Sequence, residues 1–433
     1  MAMDGKELVE KLAKLSQVQS IKDIPQLTHA LFPGTHCPLM GAAMAVGGIK
    51  DSLIVVVGTD ECTYYTKSMT IHSEKFGGID GRCVSVVLDD HDVTFGSAEK
   101  VQESFKEIIE EYRPQCVFLV TTCVIEIIGD DFDAISEGLS EIYGIPVLPV
   151  HTEHFKCEDH LPGLERTITV CAEMMKSCDS DNSVNLLGQR MGDFATTELY
   201  AMLQKAGVKI GLQLPCGCSV DDIKNAAAAK VNIVVNDIAL PLAQKMQEKF
   251  GIPYVYFNKF VIPEKIYEAY KNLFGYLELE LPGELEGLYQ NAREKIEKNK
   301  GELEGITYIY GNTPYAVFEM NCFLSSLGMV PQVIQTNRYT EADEPYAKEI
   351  LQYTDPYVCK AANIAPLQYV YDVLSPYLYL GHEFGNRLRQ KGIAIVHSDR
   401  ASGMLGFEVT GYLLQQLVKS VREAKEYRKE LCL

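Results

Sequence analysis

Short β-branched runs alternate with amphipathic helical stretches along nearly the whole chain, and that alternation leaves few architectures open. Strands separated by helices pair most simply as parallel crossover units, with the helices covering both faces of a sheet. In the first third, strands are predicted at Ser52–Val57, Val84–Leu88, Cys116–Val120 and Ile145–Leu148. Ala98–Tyr112 places Val101, Phe105, Ile108 and Ile109 at a helical period between the second and third of these. A second set follows at Val184–Leu187, Val208–Leu212, Val231–Val235 and Tyr254–Phe257, separated by helices at Thr196–Ala206, Ser219–Ala229 and Leu240–Phe250. Pro282–Gly305 is rich in lysine and glutamate, the composition of an exposed helix joining domains. A third set holds Ile306–Tyr310, Val330–Gln335, Tyr377–Leu380 and Ile393–Val396. At 433 residues the chain exceeds one ordinary core. The expected fold is α/β, with three Rossmann-like parallel-sheet domains around a central cavity. Residues 1–182 would form the first domain, 183–280 the second, and 281–433 a linker helix, the third domain and a C-terminal helix.

In open parallel sheets, ligands bind beyond the carboxyl ends of the strands. Cys62 follows the first predicted strand, Cys123 the third, Cys216 and Cys218 the run Val208–Leu212, and His397 the run Ile393–Val396. Cys37 stands in the turn-like segment Gly34-Thr35-His36-Cys37-Pro38. No pair among Cys37, Cys62 and Cys123 has zinc-finger or ferredoxin spacing, so a metal shared by them must be assembled by the tertiary fold. That pattern points to an interface iron–sulfur cluster. Cys83, Cys116, Cys171, Cys178, Cys322, Cys359 and Cys432 read mostly as small buried apolar groups.

The formal charge of −19 lacks the clustered lysine and arginine of a nucleic-acid footprint. Met1–Glu7 has no apolar stretch, and no later run approaches membrane-spanning length, so a soluble cytoplasmic protein with reduced thiols is expected. Neither the phosphate-loop motif nor a Gly-x-Gly-x-x-Gly fingerprint occurs, which leaves ATP hydrolysis and dinucleotide binding unsupported. Gly311-Asn312-Thr313-Pro314 is either an anion cradle or a tight strand-to-helix turn.

Cys37-Pro38-Leu39-Met40-Gly41-Ala42, the Cys62 turn, and Thr121-Thr122-Cys123 followed by Glu126 and Gly129-Asp130-Asp131 resemble nitrogenase component 1. That family includes the molybdenum–iron protein subunits, a cofactor-assembly scaffold, and protochlorophyllide and chlorophyllide reductases. Lys230–Val235, Phe250–Pro253, Tyr310-Gly311-Asn312, Leu327–Pro331 and Gly381-His382-Glu383 also fall in family order.

The resemblance implies that Cys37, Cys62 and Cys123 hold a four-iron four-sulfur cluster, or half of a P-cluster, between two similar subunits. It puts His154 where one nitrogenase subunit has a serine beside the cluster. His154 is then either a ligand or a loop histidine, and His151, His154, Cys157 and His160 could alternatively form a small separate metal site. The family's cofactor cysteine is missing, since Lys230–Val235 leads into Asn236 and Asp237. The cofactor histidine is matched by His397, in His397-Ser398 followed by Ser402-Gly403 and Gly406-Phe407.

Cys216 and Cys218 precede Ser219, a good helix N-cap, and are candidate replacement ligands for an iron-containing nitrogenase-like cofactor. Asp237, Arg400 and His397 are candidates for proton delivery or substrate orientation. The implied partners are a paralogous subunit, in a dimer or α2β2 assembly, and an ATP-dependent iron–sulfur reductase. The implied activity is substrate reduction. A cofactor-assembly scaffold and a metal-tetrapyrrole reductase are the alternatives.

Overall fold

The structure, a computed structural model, describes residues 4–27, 36–71, 82–157, 159–190, 192–311, 313, 315–360 and 364–432. Gly34 and Thr35 of the first cysteine segment, and Asn312 and Pro314 of the candidate anion turn, lie outside the described residues.

Three sheets carry the fold, as the strand pattern requires. In the first, the order is Cys83–Val87, Ser52–Gly58, Cys116–Thr121, Val147–Val150, all parallel. Its two central strands are buried at every position, which explains why they read as continuous apolar runs rather than alternating ones. The second sheet runs Tyr254–Tyr256, Val231–Val234, Val184–Gln189, Ile210–Pro215, again parallel. The third has six strands: Ala13–Lys14, Tyr357–Cys359, Val330–Gln335, Thr307–Tyr310, Leu378–Leu380 and Ala394–Val396. Its first strand is antiparallel and the remainder parallel.

The opening segment belongs by packing to this third sheet. Ala13 and Lys14 pair with Val358 and Tyr357, while Leu8, Leu12 and Leu15 enter the apolar clusters on its two faces. The expectation that the first domain starts at residue 1 is corrected: this opening segment completes the third sheet. Its two-residue strand was too short to show an alternation.

Other departures are local. The helix expected over Ser219–Ala229 stops at Lys224 and resumes as a 3-10 turn at Ala226–Ala228. At the break, the Asn225 side chain donates to the Asp221 carbonyl, competing with the helical ladder. The charged linker is the helix Leu285–Leu303, which docks on the C-terminal helix Glu408–Glu430 with Arg422 clasping Glu302 at 2.8 and 3.1 Å.

The first two units share one apolar cluster, reaching from Ile54 and Phe118 to Leu187 and Val234, and a short parallel ladder between Ile49–Lys50 and Cys218–Ser219. The second and third meet through Leu405 and Phe407, which enter the second unit's core, and through the Glu198 carboxylate, which accepts from Phe407 N at 3.0 Å. No helix among the described residues is long and apolar enough to cross a membrane.

Candidate iron–sulfur and cofactor site

The first sheet changes direction between Ser52–Gly58 and Cys116–Thr121, because the chain adds its second strand on one side and its third on the other. Crevices at such switch points are where doubly wound sheets bind ligands. Cys62 lies in the helix Asp60–Ile71 that leaves the first of these strands, and Cys123 opens the helix Cys123–Ile128 that leaves the second. Cys37 caps the start of the helix Pro38–Gly47, nine of whose ten residues are buried. That helix crosses Leu161–Val170 at backbone contact. A Cβ on Gly41 would lie 1.9 Å from the His160 carbonyl oxygen, and one on Gly163 at 1.9 Å from that of Pro38. The two glycines thus set where Cys37 stands.

All three thiols are half-buried and free. Burial, then the charge of Cys62 and, less, that of Cys37, push the Cys123 thiol up, while a bond from its own backbone N–H pulls it down. Cys62 and Cys37 thus both lie near enough to Cys123 for their charges to act on it. Thiolates gathered around one position suit a multi-iron cluster, whose positive charge would relieve their repulsion.

Beside Cys123, one carboxylate oxygen organises the wall. Glu126 Oε1 accepts from Thr121 Oγ1 at 2.8 Å, Thr152 Oγ1 at 3.2 Å and Glu153 N at 2.6 Å. Glu153 takes a left-handed backbone, φ +42°, to present that N–H. Gly129, φ +83°, ends the cysteine helix. Asp130 then accepts from Ser97 N and Oγ at 2.7 and 2.6 Å, and Asp131 caps the next helix at Ala134 N, 3.0 Å. A hollow of about 330 Å³ beside this wall is lined by Thr121, Glu126, His151, Glu153, Phe155 and Lys156, among others.

His154 lies on the 3-10 turn His154–Lys156 that follows, with its ring edge-on to Phe155. The alternative His151–His154–Cys157–His160 site does not form. His151 pairs with Asp133 at 3.1 Å, Cys157 contacts Arg166 and the Thr152 carbonyl, and His160 faces His36.

The second sheet has its own switch point, between Val184–Gln189 and Val231–Val234. Arg190 follows the first strand; Asn236 and Asp237 follow the second. Asn236 caps the turn Asp237–Ala239, and Asp237 Oδ1 accepts from the Tyr256 hydroxyl and from Asn258 Nδ2 at 3.2 Å. Burial, reinforced by the Asp237 charge, pushes the Tyr256 phenol up, so it stays a neutral donor.

Cys216 and Cys218 are not a matched pair. Cys216 is half-buried and donates to the Arg190 carbonyl at 3.2 Å. Cys218, 2% exposed, pairs with Ile49 and sits in the shared apolar core, where burial pushes its thiol to about 12. Of these two candidate ligands Cys218 is corrected, since it occupies a ladder position facing the core, which leaves Cys216. His397 and Arg400 are exposed at the end of Ala394–Val396 and in the turn Asp399–Gly403. Among the described residues His397 makes no hydrogen bond or ion pair with Cys216, Cys218 or Asp237. The turn itself reaches the second unit: the Ser402 carbonyl accepts from Lys259 Nζ, and that of Gly403 from Gln189 Nε2 at 3.5 Å. A larger groove, about 990 Å³, lies between Val147–Pro149 and the helix Leu161–Val170, with Asp133 and Arg166 in its lining.

The description "nitrogenase component 1 type oxidoreductase" matches residues 37–422. The chain belongs to this family. Its relatives include the nitrogenase iron-molybdenum cofactor biosynthesis protein NifE of Clostridium pasteurianum, 31% identical over 51% of this chain and 49% of that protein. NifE of Rippkaea orientalis is 24% identical over 73% of this chain and 69% of that one. The nitrogenase molybdenum-iron protein alpha chain of Methanosarcina barkeri is 24% identical over 72% of this chain and 62% of that one. The match thus spans about half the length of the first relative. A solved structure of nitrogenase Cp1 at pH 6.5 superposes over 93% of this chain and 95% of its own with a TM-score of 0.78 at 15% identity, a likeness of fold.

Sequence reasoning missed Arg190, Lys259 and Arg166. Arg166 closes the loop of His154 through Glu153, at 2.5 Å, and the Thr152 carbonyl, at 2.7 Å. The signal for Arg190 was its position directly after a buried strand.

Proposed function

We propose that this component 1 subunit accepts low-potential electrons from an ATP-dependent iron–sulfur reductase through an interface iron–sulfur cluster on Cys37, Cys62 and Cys123, and works on a cofactor or substrate held among its three units. The observation that carries this reading is that half-buried Cys37 and Cys62 lie close enough to Cys123, at the switch point of the first sheet, for their charges to act on it. A cluster bound there supplies one-electron chemistry; the chain supplies the thiolates, the burial that tunes potential, and the Glu126 wall that fixes Cys123. His154 is the fourth candidate ligand. Exposed apolar groups on the same elements, Tyr64 on the helix of Cys62, Ile127 on that of Cys123 and Phe155 on the turn of His154, suit a face that a paralogous subunit covers.

In the deeper site, His397 and Cys216 are the candidate cofactor contacts, with Asp237 and Arg400 as candidate proton or orienting groups. A scaffold role, in which a metal cofactor is built and passed on, is the second reading. It is favoured by Asn236 and Asp237 standing where the family has a cofactor cysteine, and by the cofactor-biosynthesis names of the relatives. Both readings are tested by mixing anaerobically purified protein with an ATP-dependent iron–sulfur reductase and following cluster absorption. Bleaching that requires MgATP and the reductase supports electron acceptance. No bleaching, with an iron-containing cofactor released to an acceptor protein, would leave the scaffold reading alone.

A further inference from the structure

The groove beside the edge strand Val147–Val150 of the first sheet holds a bonding position that the chain itself leaves unfilled. Inside the sheet the Pro146 carbonyl accepts from Val117 N at 2.9 Å, so the alternation along a parallel strand turns the polar groups of Val147 and Pro149 outward. At Val147 the helix Phe132–Tyr143 answers them. Ser140 Oγ accepts from Val147 N at 2.9 Å and donates to the Ser136 carbonyl at 2.8 Å. The helix turns straight back into the strand, so the two run antiparallel. One helical turn back is about 6 Å, and two strand residues on is about 6.6 Å, which brings Ser136 level with Pro149. Both line the groove, but a proline has no N–H to offer. Ser136, 1% exposed, accordingly has a buried hydroxyl without a hydrogen-bond partner, and among the described residues none donates to the Pro149 carbonyl. A buried hydroxyl in this state is unfavourable until something completes it.

The charges of the groove say what kind of group that is. Four carboxylates and two cations line it. Lys245 is taken by Glu173, Arg166 by Glu153 at 2.5 Å, and Asp133 by His151 at 3.1 Å. Glu137, exposed, and Glu165, half-buried, are left, and neither forms an ion pair among the described residues. Ile145, Val170, Met174 and Pro241 add apolar surface. Free acceptors, unpaired carboxylates and apolar surface together select a cation that also donates hydrogen bonds and carries an alkyl body. A metal ion lacks the body, and a quaternary ammonium lacks the N–H.

We propose that this groove binds an aliphatic polyamine, with a primary ammonium donating to the Pro149 carbonyl and Ser136 Oγ, the carboxylates of Glu137 and Glu165 balancing its charges, and the methylene chain on the apolar lining. An ammonium has three donors and no acceptor, which fits this set. Pro241 and Lys245 come from the second unit's helix Leu240–Phe250, so the bound amine also braces the first two units.

The test uses the full chain, purified without oxygen, as wild type, as Ser136→Ala and as the double variant Glu137→Gln with Glu165→Gln. Titration calorimetry and melting curves are recorded with spermidine, putrescine and tetramethylammonium at about 0.15 M ionic strength. Spermidine or putrescine should give a saturable isotherm and raise the wild-type Tm. Tetramethylammonium, which has the charge and no N–H, should do neither. Affinity for the amine should fall about tenfold or more in the double variant and about threefold in Ser136→Ala. Without ligand, Ser136→Ala should melt at or above the wild type, because it loses an unpartnered hydroxyl and gains helix propensity. No isotherm with either amine, an equal response to tetramethylammonium, or unchanged affinity in either variant would overturn the proposal. A lower Tm of unliganded Ser136→Ala would count against it too, since the hydroxyl would then already be bonded. The isotherm is expected whether or not the samples hold iron, so its outcome stands apart from that of the cluster.

Discussion

At the scale of single residues, Glu126 shows how a motif position earns its place. Its Oε1 gathers three donors from two loops, so Glu126→Ala leaves Thr121, Thr152 and the Glu153 N–H short of a partner at once. We expect a loss of about 2–4 kcal/mol in denaturant unfolding, with Glu126→Gln recovering most of it by keeping a carbonyl oxygen in place. Glu198 makes a different case. Burial raises its pKa above the ordinary carboxylate range, with the neighbouring Glu408 adding to this and the bonds from Phe407 N and Tyr270 OH opposing it. The folded state therefore keeps this proton to higher pH than the unfolded chain, and the stability so gained is lost as pH rises through the raised value. Unfolding free energies at pH 5 and pH 7.5 should fall more for the wild type than for Glu198→Gln; equal slopes would contradict the burial argument. The cysteine positions were legible in the sequence because thiols beyond strand ends are chemically conspicuous. Arg166 was not, because a charged residue within a helix is ordinary until its partners, Glu153 and the Thr152 carbonyl, are known.

The decisive element is the helix Pro38–Gly47. Gly163→Ala would drive a methyl group into the Pro38 carbonyl, and Gly41→Ala into that of His160. Each should cost about 1–3 kcal/mol as overpacking and shift Cys37 enough to reduce iron retention. Gly138→Ala, on the open face of the helix Phe132–Tyr143 with no atom within 4 Å, should instead be neutral or stabilise by up to about 1 kcal/mol. Thermal melts with iron analysis check all three. This helix could not be read from periodicity, since its small residues are buried almost all round and trace no apolar stripe. The central strands could be read, because burial on both faces leaves a continuous β-branched run.

Across the whole molecule, three parallel sheets and their order along the chain were written in the alternation of strands and helices. The pairing of Ala13–Lys14 with the third sheet was not, since closing a loop over some 340 residues leaves no local trace. Family membership supports the proposed iron–sulfur role of the three cysteines, while Asn236, Asp237 and the inward Cys218 depart from the pattern that the resemblance implies for the deeper site. The account stands on the cluster. Its most direct measurement is iron and acid-labile sulfide per chain, with electron paramagnetic resonance of the reduced protein, in the wild type and in Cys37→Ala, Cys62→Ala and Cys123→Ala, all purified without oxygen. An iron–sulfur signal in the wild type that is lost or altered in every variant is the predicted result. Full iron and an unchanged signal in the three variants would contradict it.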